Sequence, residues 1–225
     1  MEEDFKLAYL ETVKGPVLDQ LLALGWYRMG MYVFTTNGLQ PNADGELFPV
    51  YWLRYDVNKV LLSKSSLKII KAAAGLEVYL RQFKVTPEVE ELHSRYREQL
   101  SFNTDSDLTK VIADPNGTIF NTLMFELRDK GKLIGLGIFD VGDDTIAGIK
   151  SIYDHAYKKY SPGKYLMLLK LDYCRRNYIS WYYPGYFSPR YPKFDYKLFV
   201  DPAATEVYLP EQNAWIPYER FMQMD

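Results

Sequence analysis

The stretch "TIFNTLMFELRDKGKLIGLGIFDVGDDTIAGIKSIYD", residues 118–154, decides the fold of this chain. It contains three strand-like runs, "TIFNTLMFELR", "KLIGLGIFDV" and "TIAGIKSIYD", which the turn sequences "DKG" and "GDD" separate. Tight turns of this kind join neighbouring antiparallel strands, so we expect a three-stranded meander. Gly135 and Gly137 lie inside the second run, where glycine allows close approach of another backbone or a bulge.

A helix and a further strand follow the meander. In "SPGKYLMLLKLDYCRRN", residues 161–177, Ser161 is placed to cap a helix, Pro162 suits its first position, and apolar residues cover nearly every side. "YISWYY" has the composition of a strand, which we expect Pro184 and Gly185 to end. A helix that returns the chain to a strand packs on the sheet. The pattern therefore predicts an α/β fold.

The N-terminal part also alternates helices and strands. Gly25 is expected to close a helix over 16–24, and Thr86 to cap a later helix that begins with Pro87. The other predicted elements are strands over 26–36, 50–57 and 76–83 and a helix over 63–75 with Ser63 or Ser65 near its cap. We place a boundary at about 82–87, which divides the chain into 1–84 and 85–225.

The composition argues against several classes of function. A net charge of −2 lacks the basic excess that is common in nucleic-acid-binding domains, and a single cysteine permits no intrachain disulfide. The acidic start of the chain does not resemble a signal peptide, and no apolar run approaches the ~20 residues of a membrane span. We therefore expect a cytoplasmic protein without a membrane partner.

Motifs for metals and cofactors are absent from the sequence. It holds neither CxxC nor HExxH and only two histidines, so we expect no metal site. The phosphate-binding motifs GxxxxGK[ST] and GxGxxG do not occur, and we expect no cofactor. Cys174 lies in the apolar helix, where an inert buried thiol is the expected state. The chain suits a reaction in which the enzyme positions two substrates.

One segment near the C-terminus concentrates aromatic rings. "YYPGYFSPRYPKFDYKLF", residues 182–199, carries eight rings and three prolines. Prolines disfavour a regular helix or a central strand, so the segment predicts a shaped surface. We expect a splayed strand end whose rings form the wall of a pocket, and the alternative is a small secondary core of packed rings. The rings of the expected wall belong to Tyr186, Phe187, Tyr191, Phe194 and Tyr196.

Three segments carry features that occur together in one enzyme family. They are "GWYRMGMYVF" with "FPVYWLRYDVNKVLLSKSSLKIIK", then "SIYDHAYKKYSPGKYLMLLKLDYCRR", and the aromatic segment, which contains a Pro-Lys-aromatic-x-Tyr-Lys element at 192–197. Together they resemble the aminoacyl-tRNA–protein transferases of the arginyl/leucyl type, over about residues 20–210. The C-terminal half of that family is similar to the acetyltransferase (GNAT) superfamily. The resemblance therefore implies a GNAT-like C-terminal domain with a smaller N-terminal α/β part packed on it.

The chain departs from the family in two ways: its basic segment is Lys-rich and thinner than usual, and one loop lacks cysteines. The family's N-terminal loop commonly carries paired cysteines, whereas the matching loop here, "TTNGLQPNADGELFP", has none. A metal or iron–sulfur function is therefore not expected there.

The resemblance implies transfer of an amino acid from aminoacyl-tRNA to the α-amine of a protein with an acidic N-terminus, a conjugation of the N-degron type. The aminoacyl ester is already activated, and a free α-amine has a pKa of about 7.7–8.0. Positioning and oxyanion donors can therefore carry such a reaction without a strong general base. The implied partners are charged tRNA and the acceptor protein or peptide.

The candidate site residues form three groups. The catalytic candidates are Tyr186, Lys193 and Tyr196. Substrate binding is expected of Arg28, Tyr153, Asp154, Ser161, Gly163, Phe187, Tyr191, Phe194 and Lys197. The tRNA backbone is expected to contact Lys64, Lys68, Lys71, Lys158 and Lys159.

Several of these assignments have a structural alternative. Arg28 binds an acidic side chain or is a surface residue, and Asp154 holds an incoming ammonium or caps the end of a strand. Ser161 and Gly163 open a helix whose amides bind an anion, or they only cap it. The lysines form a tRNA footprint or a solvated face.

Two other functions are open from the sequence. A CoA-dependent N-acyltransferase would use "YSPGKYLM" as its pyrophosphate loop, although this segment lacks the usual basic, multi-glycine run. A non-catalytic module would bind acidic N-terminal residues without turnover.

Overall fold

The computed structural model describes residues 5–40, 45–100, 108–112, 114 and 116–224. Part of the cysteine-free loop and the first four residues lie outside this set. The strands are β1 (Phe5–Tyr9), β2 (Tyr27–Met29), β3 (Tyr32–Thr36), β4 (Gly38–Leu39), β5 (Phe48–Pro49), β6 (Tyr51–Asp56), β7 (Glu77–Gln82), β8 (Thr122–Asp129), β9 (Lys132–Val141), β10 (Thr145–Tyr153), β11 (Trp181–Phe187), β12 (Thr205–Leu209) and β13 (Ala214–Pro217). The α-helices are α1 (Pro16–Ala23), α2 (Lys64–Ala72), α3 (Pro87–Glu98), α4 (Leu108–Val111), α5 (Pro162–Arg176) and α6 (Tyr218–Phe221).

An eight-stranded sheet forms the centre of the molecule, in the order β13-β12-β6-β11-β10-β9-β8-β7. Its neighbours are antiparallel except for β10 and β11, which are parallel. β8, β9 and β10 form the predicted meander, and α5 connects β10 to β11 while packing on β9 and β10. The predicted α/β, GNAT-like fold class is confirmed.

The parallel pair β10–β11 is short and then opens. Its register covers only Thr145–Ala147 with Trp181–Tyr183. Beyond these residues β10 continues along β9 to Tyr153, and β11 continues along β6 to Phe187. Each strand is therefore held on its outer side while a gap opens between the two.

Bulges accompany this opening on both strands. The register of β10 on β9 shifts between Gly148 and Lys150, and that of β11 on β6 shifts between Tyr182 and Gly185. Bulges bend a strand and redirect its side chains, and they are frequent beside active sites. The prediction that Pro184 ends the strand is wrong, because this proline lies inside the bulge, where a missing N–H is tolerated.

The run 26–36 forms two strands rather than the single strand predicted from its alternation. Gly30 has a φ of 63°, and the chain turns there so that β2 pairs antiparallel with β3. β1 pairs with the other side of β3, which gives a separate three-stranded sheet. Glycine adopts a positive φ readily, so Gly30 was the signal for this turn.

Two helix starts are capped as predicted and one is not. Thr86 Oγ1 accepts a hydrogen bond from a backbone N–H of α3 at 3.3 Å, and Ser63 Oγ accepts one from α2 at 3.1 Å. Ser161 makes no side-chain cap bond, and its backbone is left-handed, with φ 50° and ψ 54°. The capping role predicted for Ser161 is therefore corrected: it is the turn residue between the 3-10 helix His155–Tyr160 and α5.

The large sheet crosses the boundary predicted between residues 84 and 85. β6 and β7 precede that boundary, yet β6 pairs with β11 and β12, and β7 pairs with β8. Buried residues from both sides, among them Tyr55 and Leu166, belong to one hydrophobic core. The predicted division therefore does not coincide with an edge of the sheet.

Gly137 allows α5 to pack closely on β9 through the side chain of Leu166, whereas the prediction was a close approach of another backbone or a bulge. A Cβ on Gly137 would lie 2.9 Å from Leu166 Cδ2, whereas a Cβ on Gly75 meets no atom within 4 Å. We expect Gly137→Ala to lower the free energy of unfolding by about 1–3 kcal/mol, because the packed helix must shift. Gly75→Ala is the matched control and should leave stability equal or slightly higher. Urea denaturation measures both variants, and equal stability would contradict the close packing.

Candidate active site

The gap between β10 and β11 leads into two adjoining cavities. The inner chamber, of about 320 Å³, lies between the diverging strands, and the outer chamber, of about 610 Å³, lies at the start of α5. The inner chamber is lined by Tyr27, Arg28, Trp52, Lys170, Tyr186 and Lys197, among others. The outer chamber is lined by Tyr153, Lys158, Ser161, Gly163, Lys164 and Lys193, among others. Both chambers share the wall formed by Tyr96, Lys150, Ser151, Phe194 and Tyr196.

Tyr27 supports β11 at the point where the strand has left β10. The N–H of Gly185 donates a hydrogen bond to the Tyr27 hydroxyl at 3.2 Å. The ring of Tyr27 stacks on Trp52 of β6, with centroids 4.1 Å apart and planes 7° from parallel. A buried backbone donor needs an acceptor, and here a side chain supplies it in place of a neighbouring strand.

Lys197 supports the same strand at the next residue along the gap. Its Nζ donates to the carbonyl oxygen of Tyr186 and lies 4.8 Å from the ring centroid of Phe194 and 5.0 Å from that of Tyr186. Burial lowers the pKa of Lys197 to about 7. The amine is therefore held among rings in a place where its charged form is disfavoured.

Lys170 is a second buried amine at the inner chamber. It belongs to α5, is 2% exposed, and its Nζ lies 5.9 Å from the ring centroid of Phe139. Burial lowers the pKa of Lys170 to about 7 as well. A lysine in such surroundings is costly to keep, which makes it a candidate functional residue.

Arg28 combines a structural ion pair with a position in the chamber wall. Its Nη1 donates to Asp140 Oδ1 at 2.9 Å and to Thr122 Oγ1 at 2.8 Å, and its guanidinium lies 4.0 Å from the ring centroid of Phe120. Burial raises the pKa of the Asp140 carboxyl in spite of the nearby Arg28. Among the described residues the buried Nη2 of Arg28 has no hydrogen-bond partner. Arg28 therefore retains an unused donor.

The charges around the inner chamber are all of one sign. Its described lining includes the cations Arg28, Lys150, Lys170 and Lys197, and none of these lining residues is Asp or Glu. A cavity of this kind suits an anionic group, because an anion would compensate charges that are otherwise partly desolvated.

The outer chamber lies at the N-terminus of α5. Backbone N–H groups at a helix start and nearby lysines favour anions, and Lys158, Lys164 and Lys193 belong to the lining. Partial burial lowers the pKa of Lys193. The outer chamber therefore has the chemistry of a phosphate-binding entrance.

Tyr196 stands between the two chambers. Half of its surface is exposed, and desolvation raises the pKa of Tyr196 to about 12. The hydroxyl is therefore protonated at neutral pH and can donate a hydrogen bond at the junction.

Most of the predicted site residues meet in these chambers. The inner chamber includes Arg28, Tyr186 and Lys197, the outer chamber includes Tyr153, Lys158, Ser161, Gly163 and Lys193, and the shared wall includes Phe194 and Tyr196. The structure thus has a cavity at the ring-rich strand end. The roles of the individual residues in it stay predictions.

Asp154 and Phe187 lie outside the lining of both chambers. Asp154 caps the 3-10 helix that follows it, and its carboxylate is 3.5 Å from Lys132 and 3.7 Å from Arg95. Phe187 is 1% exposed and belongs to a hydrophobic core, because the pleat of β11 points it away from the face of Tyr186. Asp154 therefore has a capping role and Phe187 a packing role, as in the structural alternatives of the sequence analysis. No ligand role is assigned to either residue.

The remaining predicted residues lie farther out. Tyr191 packs on Phe48, with ring centroids 5.3 Å apart, and Lys159 is exposed, with its Nζ 4.8 Å from the ring centroid of Tyr160. The three lysines of α2 are exposed and line neither chamber. These three residues are Lys64, Lys68 and Lys71.

Sequence reasoning missed several lining residues. Lys170 had a signal, since it is the one charge in the run "LMLLKL" of an apolar helix. Tyr27, Trp52 and Lys150 had none, because they look like ordinary strand residues until β10 and β11 diverge. Lys150 Nζ lies 3.5 Å from His93 Nε2, which places that histidine behind the shared wall.

Other chemistries have little support within the described part of the chain. There, no three His, Cys, Asp or Glu side chains are grouped to hold a metal ion. Cys174 is buried, and burial raises the pKa of its thiol well above the ordinary value, as expected for an inert thiol. None of the helices in the described ranges is both long and apolar enough to cross a bilayer.

The fold and the two chambers define the class of this protein. A cleft opens between two parallel strands, a long helix begins at its mouth, and cations and aromatic rings line it. This is the arrangement of a GNAT-like fold. The solved structure of FemX shares the fold, with a TM-score of 0.52 over 92% of this chain and 70% of that chain at 9% sequence identity.

The family follows from the sequence comparisons. Residues 77–206 match the family model described as arginine-tRNA-protein transferase, C terminus. The chain belongs to this family and is an aminoacyltransferase.

Curated relatives support this membership. The aspartate/glutamate leucyltransferase of Leptospira interrogans is 24% identical over 176 residues, which cover 76% of this chain and 68% of that protein. The enzyme of the same name from Helicobacter hepaticus is 22% identical over 213 residues, or 92% of this chain and 86% of that protein. Arginyl-tRNA–protein transferase 1 of Arabidopsis thaliana is 25% identical over 167 residues, or 64% of this chain and 26% of that protein.

Lys170 gives a prediction about stability and pH. Folding lowers its pKa from 10.5 to about 7, so the unfolded chain binds more protons between these values. The destabilisation is complete below about pH 7 and is relieved as the pH rises, by up to about 1.4 kcal/mol per pH unit. Lys170→Met should therefore raise the free energy of unfolding at pH 7 and flatten its rise toward pH 10. Urea denaturation across this range is the measurement, and an unchanged slope would contradict the buried charge.

Proposed function

We propose that this enzyme transfers an amino acid from aminoacyl-tRNA to the α-amine of proteins whose N-terminal residue is Asp or Glu, a conjugation of the N-degron type. The family membership supports a charged tRNA donor and a protein acceptor. The observation that carries the acidic acceptor is the inner chamber, whose described lining contains one Arg and three Lys side chains and no carboxylate. A charged-tRNA donor also favours the cytoplasm as the place of the reaction.

The two chambers divide the substrates between them in this proposal. The outer chamber binds the 3′ end of the tRNA, with Lys158, Lys164 and Lys193 near its phosphates and the rings of the shared wall stacked on its terminal adenosine. The inner chamber binds the N-terminal residue of the acceptor. The α-amine then meets the ester carbonyl at the shared wall, where both substrates are within reach.

The acidic side chain of the acceptor has two partners in the inner chamber, Arg28 and Lys170, and of these Arg28 is already paired with a carboxylate of the protein. Arg28 is already paired with Asp140 and offers its unused Nη2, whereas Lys170 has no carboxylate beside it among the described lining residues. A carboxylate bound there would favour the protonated form of Lys170 and so compensate its desolvation. The buried lysine is thus explained by the substrate that it binds.

The catalytic candidates surround the junction of the chambers. Tyr196 remains protonated and can donate a hydrogen bond to the oxyanion, a contribution of about 3–4 kcal/mol for a well-placed donor. Burial also raises the pKa of Tyr186, so its hydroxyl is a neutral donor. Lys193 places a positive charge in the outer chamber, beside the leaving ribose oxygen.

A transfer assay tests the proposed function. Peptides that begin with Asp, Glu, Asn or Ala are incubated with charged leucyl- and arginyl-tRNA, and labelled product is quantified. We expect one of the two donors to serve the acidic peptides at least about tenfold better than their amide counterparts, since a charged hydrogen bond is worth about 1.5–3 kcal/mol. The absence of transfer from both donors would refute the proposal. Acetylation of the peptides by acetyl-CoA would favour the N-acyltransferase alternative.

The lysines of α2 give a prediction for the tRNA body. We propose that Lys64, Lys68 and Lys71 bind its phosphates, together with Lys158 and Lys159 near the chamber. Replacing the three α2 lysines by Gln should weaken tRNA binding and lower the slope of log Kd against log salt by about 1 for each phosphate that is no longer neutralised. The exposed Lys130→Gln is the control. An equal salt slope in the triple variant would assign the α2 lysines to a solvated face.

A further inference from the structure

We propose that Lys197 is the proton acceptor for the incoming α-ammonium group, a catalytic role that rests on the proposed function. An α-amine is mostly protonated at pH 7 and cannot attack an ester in that form. A neutral amine at the junction of the two chambers would remove its proton in place. The structure shows where such an amine is held and why its charged form is disfavoured.

The position of Lys197 fits a base better than that of the other buried lysine. Its Nζ lies 4.8 Å from the ring of Phe194 and 5.9 Å from that of Tyr196, and both rings line both chambers. Lys170 lies instead beside Phe139, a ring that is not part of either lining. Lys197 is thus close to the place where the ester and the amine meet.

The hydrogen bond to Tyr186 orients Lys197 without blocking it. The bond uses one N–H of Nζ and the carbonyl oxygen of Tyr186, so a neutral amine keeps its lone pair available. Gly185 provides the space, since its φ is 99° and a Cβ there would lie 3.1 Å from the Lys197 Nζ. The strand opening therefore both holds the amine and keeps its surroundings clear.

The titratable groups near Lys197 favour the neutral amine. Tyrosines with raised pKa values line its chamber or contact it from β2, β6, β11 and the 3-10 helix Pro192–Phe199, which contains Lys197, and they are uncharged at neutral pH. Burial lowers the pKa of Lys197 to about 7, and the charged side chains in the described lining of its chamber belong to Arg and Lys. The groups are Tyr27, Tyr55, Tyr182, Tyr186, Tyr196, Arg28, Lys150 and Lys170.

The proton and bond changes of the proposed reaction balance. Lys197 Nζ accepts one proton from the α-ammonium, and the neutral nitrogen attacks the ester carbonyl carbon to form the C–N bond. The C–O bond to the ribose then breaks. The ribose oxygen takes a second proton from the same nitrogen, and Lys197 later releases its proton to solvent. The carboxylate of an acidic acceptor in the same chamber would stabilise the charge that Lys197 gains.

Two variants separate a base from a cation. Lys197→Met keeps much of the aliphatic stem and removes the amine, while Lys197→Arg keeps a positive charge that is not given up near neutral pH. We expect both to lower kcat at pH 7 by about tenfold, because only about one tenth of an α-amine with a pKa of about 7.7–8.0 is neutral at that pH. If Lys197 serves only as a cation, Lys197→Arg retains most of the activity and the proposal is overturned.

The pH dependence of kcat distinguishes a proton acceptor from a residue with only a structural role. Wild-type kcat should rise with pH through the pKa of Lys197, which is about 7 in the free enzyme and which a carboxylate bound in the same chamber raises. Since the α-amine deprotonates by itself near pH 7.7–8.0, the deficit of Lys197→Met should shrink by about tenfold between pH 7 and pH 9. A deficit that is equal at all pH values would show a structural role and overturn the proposal.

Lys170→Met is the matched control, since it removes a similarly buried amine from the same chamber. It should reduce the preference for acidic over amide acceptors and leave the pH profile in place. If the kcat deficit shrinks at high pH in Lys170→Met and not in Lys197→Met, Lys170 is the proton acceptor and the assignment to Lys197 is overturned. If neither Lys197 variant folds, the wild-type profile decides: a kcat that does not change around pH 7 contradicts the proposal. Wild-type protein that transfers nothing from any charged tRNA refutes the proposed function itself.

Discussion

The separation of β10 from β11 is the constraint on which the rest of the structure depends. Two parallel strands that share only three pairs leave backbone N–H and C=O groups facing a gap, and buried groups of this kind need partners. Tyr27 and Lys197 supply two of them on the β11 side. The residues that keep the gap open therefore also form its wall, and the stability of the sheet and the shape of the site are linked.

Local patterns explain how much of this architecture the sequence predicts. The meander, α5 and the capped start of α3 depend on turns, periodicity and capping residues that lie close together in the chain. Gly30 and Pro184 show what local patterns do not predict. Gly30 forms the turn between β2 and β3, and Pro184 lies inside a bulge of β11, and neither arrangement can be recognised without the neighbouring strands. The rings of 182–199 predicted a pocket correctly, yet only the pleat of β11 decides that Tyr186 faces it and Phe187 does not.

The electrostatics of the site were less accessible to sequence reasoning than its shape. A net charge of −2 hides a chamber lined by one Arg and three Lys side chains, since the total says nothing about where basic residues gather. Lys193 stood out in a familiar motif, whereas Lys170 was one lysine in an apolar helix. The two lysines differ in how strongly they are desolvated. The burial of Lys170 can be recognised only once α5 is packed on the sheet. Both buried lysines lower stability at neutral pH, as is common for residues retained for function.

The participation of β6 in the central sheet has a consequence for any shortened form of this enzyme. The family match begins at residue 77, after β6, but β6 lies between β11 and β12. A fragment that starts there would lose the strand that holds β11 from outside and would detach β12 and β13. Its cleft would then be bordered by an open, hydrophobic strand edge, the kind of surface that drives aggregation. The region that matches the family model is therefore not a self-sufficient folding unit.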